Sequence, residues 1–218
     1  MTIRECGDSM LLIEFESTID PVINERAIVL ADRLRRRAVR GVRDIAPGYC
    51  TVGVHFDPLY TDLPALEDAI GAEATAIATI EAIADRPAIE IPVVYGGAEG
   101  PDLGAVAEHA GMTEAEVVAR HAERPYRVYM LGFVPGFAYM GRVDPSIGMA
   151  RHRVPRERVP AGSVGITGQQ TGVYPVESPG GWQIIGRTST VMFDAGRERP
   201  SLLEAGDFVR FVPTKGRA

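Results

Sequence analysis

Glycine and proline are spread unevenly along this chain, and their positions limit the secondary structure that each half can form. Residues 1–90 contain ten of them, whereas residues 131–190 contain seventeen. Because both residues interrupt helices, the second region cannot be a helical bundle. Its short apolar segments between glycine and proline turns predict an all-β barrel or sandwich. We therefore expect two differently built parts in one chain.

The first 95 residues alternate between strand and helix patterns. Short apolar segments predict strands at 10–15, 42–45, 50–56 and 88–94, the second and third forming a hairpin. Apolar residues spaced by three and four predict one helix from Pro21 to just before Gly41, with Asp20 as its N-cap, and another over 64–84. The resulting order, β-α-β-β-α-β, is the ferredoxin-like arrangement. Two short helices at 102–110 and 113–123 then form a connector over 96–125, the second opened by a capping box at Thr113 and Glu116.

Composition excludes several partners and reactions. A net charge of -6 argues against a nucleic-acid or membrane-surface partner. Cys6 and Cys50 are too few and too far apart for a disulfide scaffold or a zinc ribbon. Lys215 is the only lysine, so a phosphate-binding loop with lysine at a helix start is excluded. No signal peptide or run of 18 apolar residues is seen, so we expect a cytoplasmic protein.

Several charged or reactive side chains are interpreted as structural and not as catalytic or ligand-binding. The arginines at the end of the first helix predict a solvent-exposed face, not an anion-binding site. Their positive charges interact favourably with the negative end of the helix dipole. His55, alone in a strand, and Cys50, without a cationic neighbour, are interpreted as packing residues. The four histidines are scattered, and we expect no metal site.

Three stretches of the second half carry a denser set of functional groups. Residues 132–141 set aromatic side chains among glycines, and residues 151–162 are cationic. Residues 168–182 add amides, hydroxyls and one carboxylate. Together they offer guanidinium groups for a carboxylate or phosphate, with hydrogen-bonding groups beside them. On residue types alone, turns, salt bridges and a packed indole remain the simpler explanation.

The region from Leu131 to Asp194 resembles the family that includes KipI, allophanate hydrolase subunit 1 and the B subunit of 5-oxoprolinase. The resemblance rests on L-G-F-V-P-G-F-A-Y-M-G (131–141), V-P-R-E-R-V-P-A-G-S-V-G-I (154–166), Q-T-G-V-Y-P-V-E-S-P-G-G-W-Q-I-I-G-R-T (170–188) and G-D-F-V-R-F-V-P (206–213). Ala138, Met140 and Gln169 depart from the usual proline, leucine and glycine. The family implies an α+β protein with a ferredoxin-like domain over 1–95 and a cyclophilin-like β-barrel over 126–218.

The resemblance also implies a function, that of the B subunit of an ATP-dependent 5-oxoprolinase. Such an enzyme opens 5-oxo-L-proline to L-glutamate while ATP is cleaved to ADP and phosphate. The implied partners are a second cyclophilin-like subunit, which shares the site, and a separate A subunit. ATP would be the co-substrate, bound by this chain or by a partner, with no metal or prosthetic group. This chain would be inactive alone.

On that interpretation we assign a role to each of seven site residues. Two arginines bind anionic groups, two residues make polar contacts, one carboxylate accepts or orients a proton, and two aromatics form apolar walls: Arg156 and Arg187, Gln170 and Thr171, Glu177, and Phe137 with Trp182. Two alternatives stay open. Some family members are named as inhibitors of a sensor histidine kinase, and the family also implies an allophanate or urea-carboxylase-related subunit.

Overall fold

The structure is a computed structural model that describes residues 1–83 and 86–215. The chain divides between residues 85 and 86 into two compact units. Each unit has its own cluster of buried apolar side chains. Among the helices described, none combines the length and the apolar character needed to cross a bilayer.

The first unit is a four-stranded antiparallel sheet with two helices. Its elements in chain order are β1 (Thr2–Glu5), β2 (Met10–Glu14), α1 (Pro21–Arg37), β3 (Val42–Pro47), β4 (Thr51–Phe56) and α2 (Leu63–Ile77). The strands lie in the order β1-β2-β4-β3. Helix α1 begins where the Asp20 side chain accepts hydrogen bonds from the backbone N–H groups of Val22 and Ile23, as the sequence predicts for an N-cap. The hairpin of β3 and β4 is also confirmed.

The arginine-rich end of α1 is held by ion pairs. Arg33 and Arg37 both pair with Glu73 of α2, at 2.5 and 3.3 Å. Arg35 pairs with Asp32 and donates to the carbonyl oxygen of Ile45. These contacts agree with a structural role for this charge cluster.

The predicted strand order of residues 1–95 is wrong in one respect. Strand β5 (Ala88–Tyr95) pairs with barrel strands of the second unit and not with the N-terminal sheet. Strand β1, which the sequence analysis did not identify, occupies an edge of that sheet. The first unit therefore runs ββαββα. The strand order was mispredicted because a strand's alternating pattern shows that one face is buried but not which strand lies beside it. Helix α2 ends at Ile77, before the predicted residue 84, which lies outside the described residues.

The second unit is built around a closed barrel. Its strands in the described region follow the order β10-β7-β6-β13-β5-β12-β9, and a separate ribbon pairs β11 with β8. The remaining bounds are α3 (Leu103–Ala110), α4 (Glu114–Ala122), β6 (Tyr126–Leu131), β7 (Ala138–Gly141), a 3-10 helix (Pro145–Ile147), β8 (Arg156–Val159), β9 (Ser163–Thr167), β10 (Gln170–Val173), β11 (Ser178–Gly180), β12 (Gln183–Arg187) and β13 (Phe208–Pro213). A glycine-rich β-barrel is thus confirmed.

Two glycines show why this barrel needs so many of them. A Cβ atom at Gly172 would lie 2.9 Å from the carbonyl oxygen of Ala138 and 3.1 Å from the ring of Phe137. A Cβ atom at Gly186 would lie 2.7 Å from Val93. Neighbouring strands and rings approach too closely at these points for any side chain.

The two connector helices are confirmed, including the capping box. Thr113 accepts from the backbone N–H of Glu116, and the Glu116 carboxylate accepts from the backbone N–H of Thr113. Val106 of α3 and Val117 of α4 are fully buried in the same apolar cluster as the barrel residues. After β12, Phe193 forms an isolated bridge with Ser201 and is not part of a barrel strand.

Candidate functional site

Four aromatic side chains, Phe137, Tyr139, Tyr174 and Trp182, pack edge to face on the second unit and are called the aromatic cluster here. The ring of Phe137 lies 5.4 Å from that of Trp182, 5.3 Å from that of Tyr174 and 4.9 Å from that of Tyr139. The two aromatic residues assigned from the sequence therefore do contact each other. Both are buried, with exposed fractions of 2% for Phe137 and 7% for Trp182.

A buried carboxylate, that of Asp102, connects this cluster to Arg156. Asp102 Oδ1 accepts from Arg156 Nη2 at 2.6 Å, and Oδ2 accepts from the backbone N–H of Ile184 at 2.6 Å. Ile184 packs in the same apolar group as Phe137 and Trp182. Burial alone would raise the pKa of the Asp102 carboxyl, but the hydrogen bonds from Arg156 and Ile184 outweigh it and lower the pKa below its usual value.

His152 is a second basic group beside Asp102. Its Nε2 atom lies 3.4 Å from Asp102 Oδ2 without the alignment of a hydrogen bond, and its backbone N–H donates to the carbonyl oxygen of Gly181. Within the described residues, four buried side-chain atoms without a hydrogen-bond partner belong to the segment 152–183: His152 Nε2, Arg156 Nη1, Ser178 Oγ and Gln183 Oε1. Buried polar atoms of this kind are rare in folded proteins and often mark a place where a further group binds.

The two tyrosines of the aromatic cluster add neutral hydroxyl groups. Burial raises the pKa of Tyr139 and of Tyr174 above the usual value for a phenol. Both hydroxyls therefore stay protonated at neutral pH and can donate hydrogen bonds. Tyr174, Asp102 and His152 were not singled out from the sequence. Tyr139 and Tyr174 both lie in the glycine-rich motifs of the family, and this position was the one sequence feature that could have pointed to them.

Arg187 lies in a different place, at the end of β12. Its Nε donates to the carbonyl oxygen of Ala161 at 2.9 Å, and its Nη1 lies 3.5 Å from Glu99 Oε2. It lines an open groove of about 900 Å³, called the hydroxyl groove here, together with Thr188, Ser189, Thr190, Thr214 and Lys215. The lining of this groove includes no member of the aromatic cluster. Arg156 is not among the residues that line this groove, so the two arginines have different partners and surroundings.

Glu177 lies on the surface, and Gln170 lies in a barrel strand. The side chain of Glu177 is 58% exposed, and its Oε1 lies 3.9 Å from Arg158 Nε. Gln170 is half-buried in β10, where it is paired with Thr167 of β9 and Gly141 of β7. Among the described residues, no group of three or more histidine, cysteine, aspartate or glutamate side chains could hold a metal ion.

Thr171 lies inside the barrel, in a hydrogen-bonded chain with His121. Thr171 is fully buried, and its hydroxyl donates to the carbonyl oxygen of Gly165 at 3.0 Å. His121 Nε2 must then donate to Thr171 Oγ1, at 2.9 Å. His121 Nδ1 is left to accept from the hydroxyl of Tyr95, at 2.8 Å. Burial lowers the pKa of His121 to about 3, so this imidazole is neutral.

The comparisons with known proteins decide the family. Residues 1–203 match the family described as carboxyltransferase domain, subdomain C and D. The B subunit of 5-oxoprolinase from Bacillus subtilis is 38% identical over 220 residues, covering 96% of this chain and 91% of that protein. This chain belongs to the family of 5-oxoprolinase B subunits. That result confirms the family assigned from the glycine-rich motifs.

Other relatives cover different shares of the chain. The B subunit of 5-oxoprolinase from Escherichia coli O157:H7 is 58% identical over 127 residues, which is 58% of this chain and 58% of that protein. The crystal structure of TTHA0988 superposes with a TM-score of 0.86 at 35% identity, covering 99% of this chain but only 41% of that one. The urea carboxylase of Kluyveromyces lactis shares the fold, with a TM-score of 0.76 at 22% identity over 98% of this chain and 22% of that one.

Proposed function

We propose that this chain is the B subunit of an ATP-dependent 5-oxoprolinase and that it works only with partner subunits. The observation that carries the proposal is the 38% identity, along 96% of the chain, to a protein named as a 5-oxoprolinase B subunit. The partners are a second cyclophilin-like subunit, which completes the site, and a separate A subunit. The substrate is 5-oxo-L-proline, and ATP is the co-substrate.

The reaction needs an activated lactam. The carbonyl carbon of a five-membered lactam is a poor electrophile, and its hydrolysis is unfavourable without coupling. Transfer of the γ-phosphoryl group of ATP to the carbonyl oxygen releases ADP and activates the carbon. Water then adds to that carbon, the ring C–N bond breaks and the nitrogen takes up a proton, which leaves an acyl phosphate. A second water hydrolyses the acyl phosphate to the carboxylate and free phosphate, so two waters are consumed in all. Cations, hydrogen-bond donors and a proton acceptor all assist such steps.

The surroundings of Arg156 supply several of these groups. Its guanidinium is held by Asp102 at 2.6 Å, and Ile184, bound to the same carboxylate, packs with Phe137 and Trp182. In our proposal Arg156 binds an anionic group of the substrate, and the aromatic cluster forms the apolar side of its pocket. Glu177, exposed near Arg158, is the proton acceptor once the partner subunit covers it.

The hydroxyl groove offers a place for phosphate oxygens. Arg187 and Lys215 supply two cations there, and threonine and serine hydroxyls line the same space. Guanidinium and hydroxyl groups both donate hydrogen bonds to phosphate oxygens. The carboxylate of Glu99, which pairs with Arg187, repels a phosphate and weakens its binding there. We therefore place the phosphates of ATP in this groove, in a mode that needs no lysine-bearing loop.

A shared site with a partner protein is supported by one exposed aromatic side chain. Phe133 is 59% exposed, while its ring contacts the buried Phe137 edge to face at 5.6 Å. Exposed aromatic residues joined to a buried cluster often anchor protein interfaces. Phe133 therefore marks the side of the aromatic cluster that the second cyclophilin-like subunit contacts.

The test is reconstitution of the three subunits, with glutamate and ADP measured from 5-oxo-L-proline and ATP while each of the three is omitted in turn. We expect turnover only with all of them. Arg156→Ala and Glu177→Gln should each lower turnover by about tenfold or more. Arg120→Ala is the matched control, because Arg120 also pairs with a carboxylate, that of Asp144, in the same unit. Wild-type turnover by both site variants would end the assignment of these residues.

A carboxyltransferase-related role is the second candidate, favoured by the family match over residues 1–203. In that case the chain would accept a carboxyl group from a carrier-borne biotin. The same reconstituted complex, supplied with a carrier whose biotin already bears a labelled carboxyl group and with an amide acceptor such as urea, would then transfer the label to the acceptor without forming glutamate from 5-oxo-L-proline.

A further inference from the structure

Asp102 stands at the start of a helix but does not cap it. It precedes α3, where aspartate normally accepts a hydrogen bond from the first turn, yet its side chain makes no such bond. Its carboxylate is instead 6% exposed and directed to Arg156 and Ile184. The two residues lie 54 and 82 positions further along the chain. The carboxylate therefore stabilises the barrel surface and not its own helix.

The link between Asp102 and Ile184 is double. The backbone N–H of Asp102 donates to the carbonyl oxygen of Ile184 at 2.9 Å, while Asp102 Oδ2 accepts from the backbone N–H of Ile184. The register of β12 against β9 shifts between Ile184 and Gly186. Such an irregularity leaves backbone N–H and C=O groups of the strand without a partner in the next strand. Here the Asp102 carboxylate accepts from one of them, the N–H of Ile184. Asp102 is thus fixed to the strand that follows Trp182.

Fixing Asp102 also fixes Arg156. A guanidinium group is planar, so one Nη atom bound to a carboxylate restricts the direction of the other. Arg156 Nη2 is the bound atom, and Nη1 is a buried donor without a partner in the described residues. The segment before Arg156 is anchored as well, because the backbone N–H of His152 donates to Gly181.

We propose that Asp102 is a positioning residue, whose carboxylate holds the Arg156 guanidinium in one orientation beside the aromatic cluster so that Nη1 meets an anionic oxygen of the substrate. This inference rests on the proposed function, in which Arg156 binds the substrate. It adds that Asp102 acts through Arg156 and never touches the substrate itself.

The decisive variant is Asp102→Asn in the reconstituted complex. The amide oxygen can still accept from Ile184, whereas the amide NH2 cannot accept from Arg156. Asp144→Asn is the matched control: Asp144 also pairs with an arginine, Arg120 at 3.3 Å, and accepts a backbone N–H, that of Ser146 at 2.9 Å. We expect Asp102→Asn to lower kcat by about tenfold to a hundredfold with KM changed less than about threefold, and Asp144→Asn to leave kcat within about twofold.

A double variant separates positioning from general stabilisation. If Asp102 acts through Arg156, then Asp102→Asn combined with Arg156→Ala should be no slower than Arg156→Ala alone, within about twofold. If the losses of kcat in the two single variants multiply in the double variant, the proposal is overturned. An Asp102→Asn complex with wild-type kcat would overturn it as well.

Hydrogen exchange on the isolated chain keeps the test independent of turnover. Peptides over 151–156 should exchange faster in Asp102→Asn than in the wild type or in Asp144→Asn, whereas peptides over 182–185 should not change. Unchanged exchange over 151–156 would show that Asp102 does not hold this segment and would overturn the inference. A wild-type complex that forms no glutamate would refute the proposed function instead, and exchange alone would then decide whether Asp102 fixes Arg156.

Discussion

Replacing Thr171 by valine tests whether this residue, assigned from the sequence as a polar substrate contact, serves the barrel interior instead. Valine keeps the shape of the side chain and removes only its hydrogen bonds. In the structure the hydroxyl is fully buried, accepts from His121 Nε2 at 2.9 Å and donates to the carbonyl oxygen of Gly165 at 3.0 Å. The substitution leaves the N–H of His121 buried without a partner.

The expected cost follows from the groups left unpaired. A buried donor or acceptor that loses its partner costs about 1–3 kcal/mol, so the two groups left unpaired should lower the free energy of unfolding by about 2–6 kcal/mol. At about 2–4 °C per kcal/mol for a chain of this length, Tm should fall by about 4–24 °C. Thr171→Ser is the control, because it keeps the hydroxyl and loses only a methyl group, worth about 1 kcal/mol.

The assay is urea unfolding followed by the fluorescence of Trp182. The chain has one tryptophan, and it lies in the second unit with an exposed fraction of 7%, so its emission reports on that unit alone. Turnover per folded complex should stay at the wild-type level. An unchanged unfolding midpoint with a large loss of turnover would refute this reasoning and would restore Thr171 to the substrate site.

Three further predictions concern other parts of the second unit. Because burial lowers the pKa of His121 to about 3 from 6.5, its stabilising contribution is complete above pH 6.5 and declines below it. Wild type should therefore lose about 3 kcal/mol more stability between pH 7 and pH 4 than His121→Leu does; equal pH slopes in urea titrations would contradict this. Gly172→Ala should cost about 1–3 kcal/mol, since its Cβ would lie 3.3 Å from the Trp182 ring, and a wild-type Tm and emission maximum would disprove the close contact. Arg187→Ala should raise the KM for ATP by about tenfold and leave the KM for 5-oxo-L-proline unchanged, whereas Glu99→Gln should lower the KM for ATP; the reverse pattern would exclude the hydroxyl groove as the phosphate site.

Local features were predicted well because their causes lie within a few residues. The N-cap at Asp20 and the capping box at Thr113 each depend on a side chain and the next three residues, and both are present in the structure. The barrel followed from the spacing of glycine, proline and short apolar segments. Strand β5 was placed in the wrong sheet, because its partner β13 lies more than a hundred residues away in the sequence.

The site was only partly predictable for the same reason. The glycine-rich motifs pointed to Phe137 and Trp182, and the two rings contact each other, while their role as walls of a substrate pocket stays a prediction. Asp102 gave no such signal, because aspartate before a helix is expected to be a cap. Its connection to Arg156 and Ile184 exists only after the chain has folded.

The sequence by itself determined the family, the β-rich second half and the types of functional group available there. Its glycines also indicate where strands approach closely, as at Gly172. Only the tertiary structure decided that Arg156 and Arg187 have different carboxylate partners, that Thr171 is enclosed with His121, and that Asp102 holds Arg156. The physical reason is that burial and long-range hydrogen bonds set what a polar side chain can do, and neither depends on its immediate neighbours along the chain.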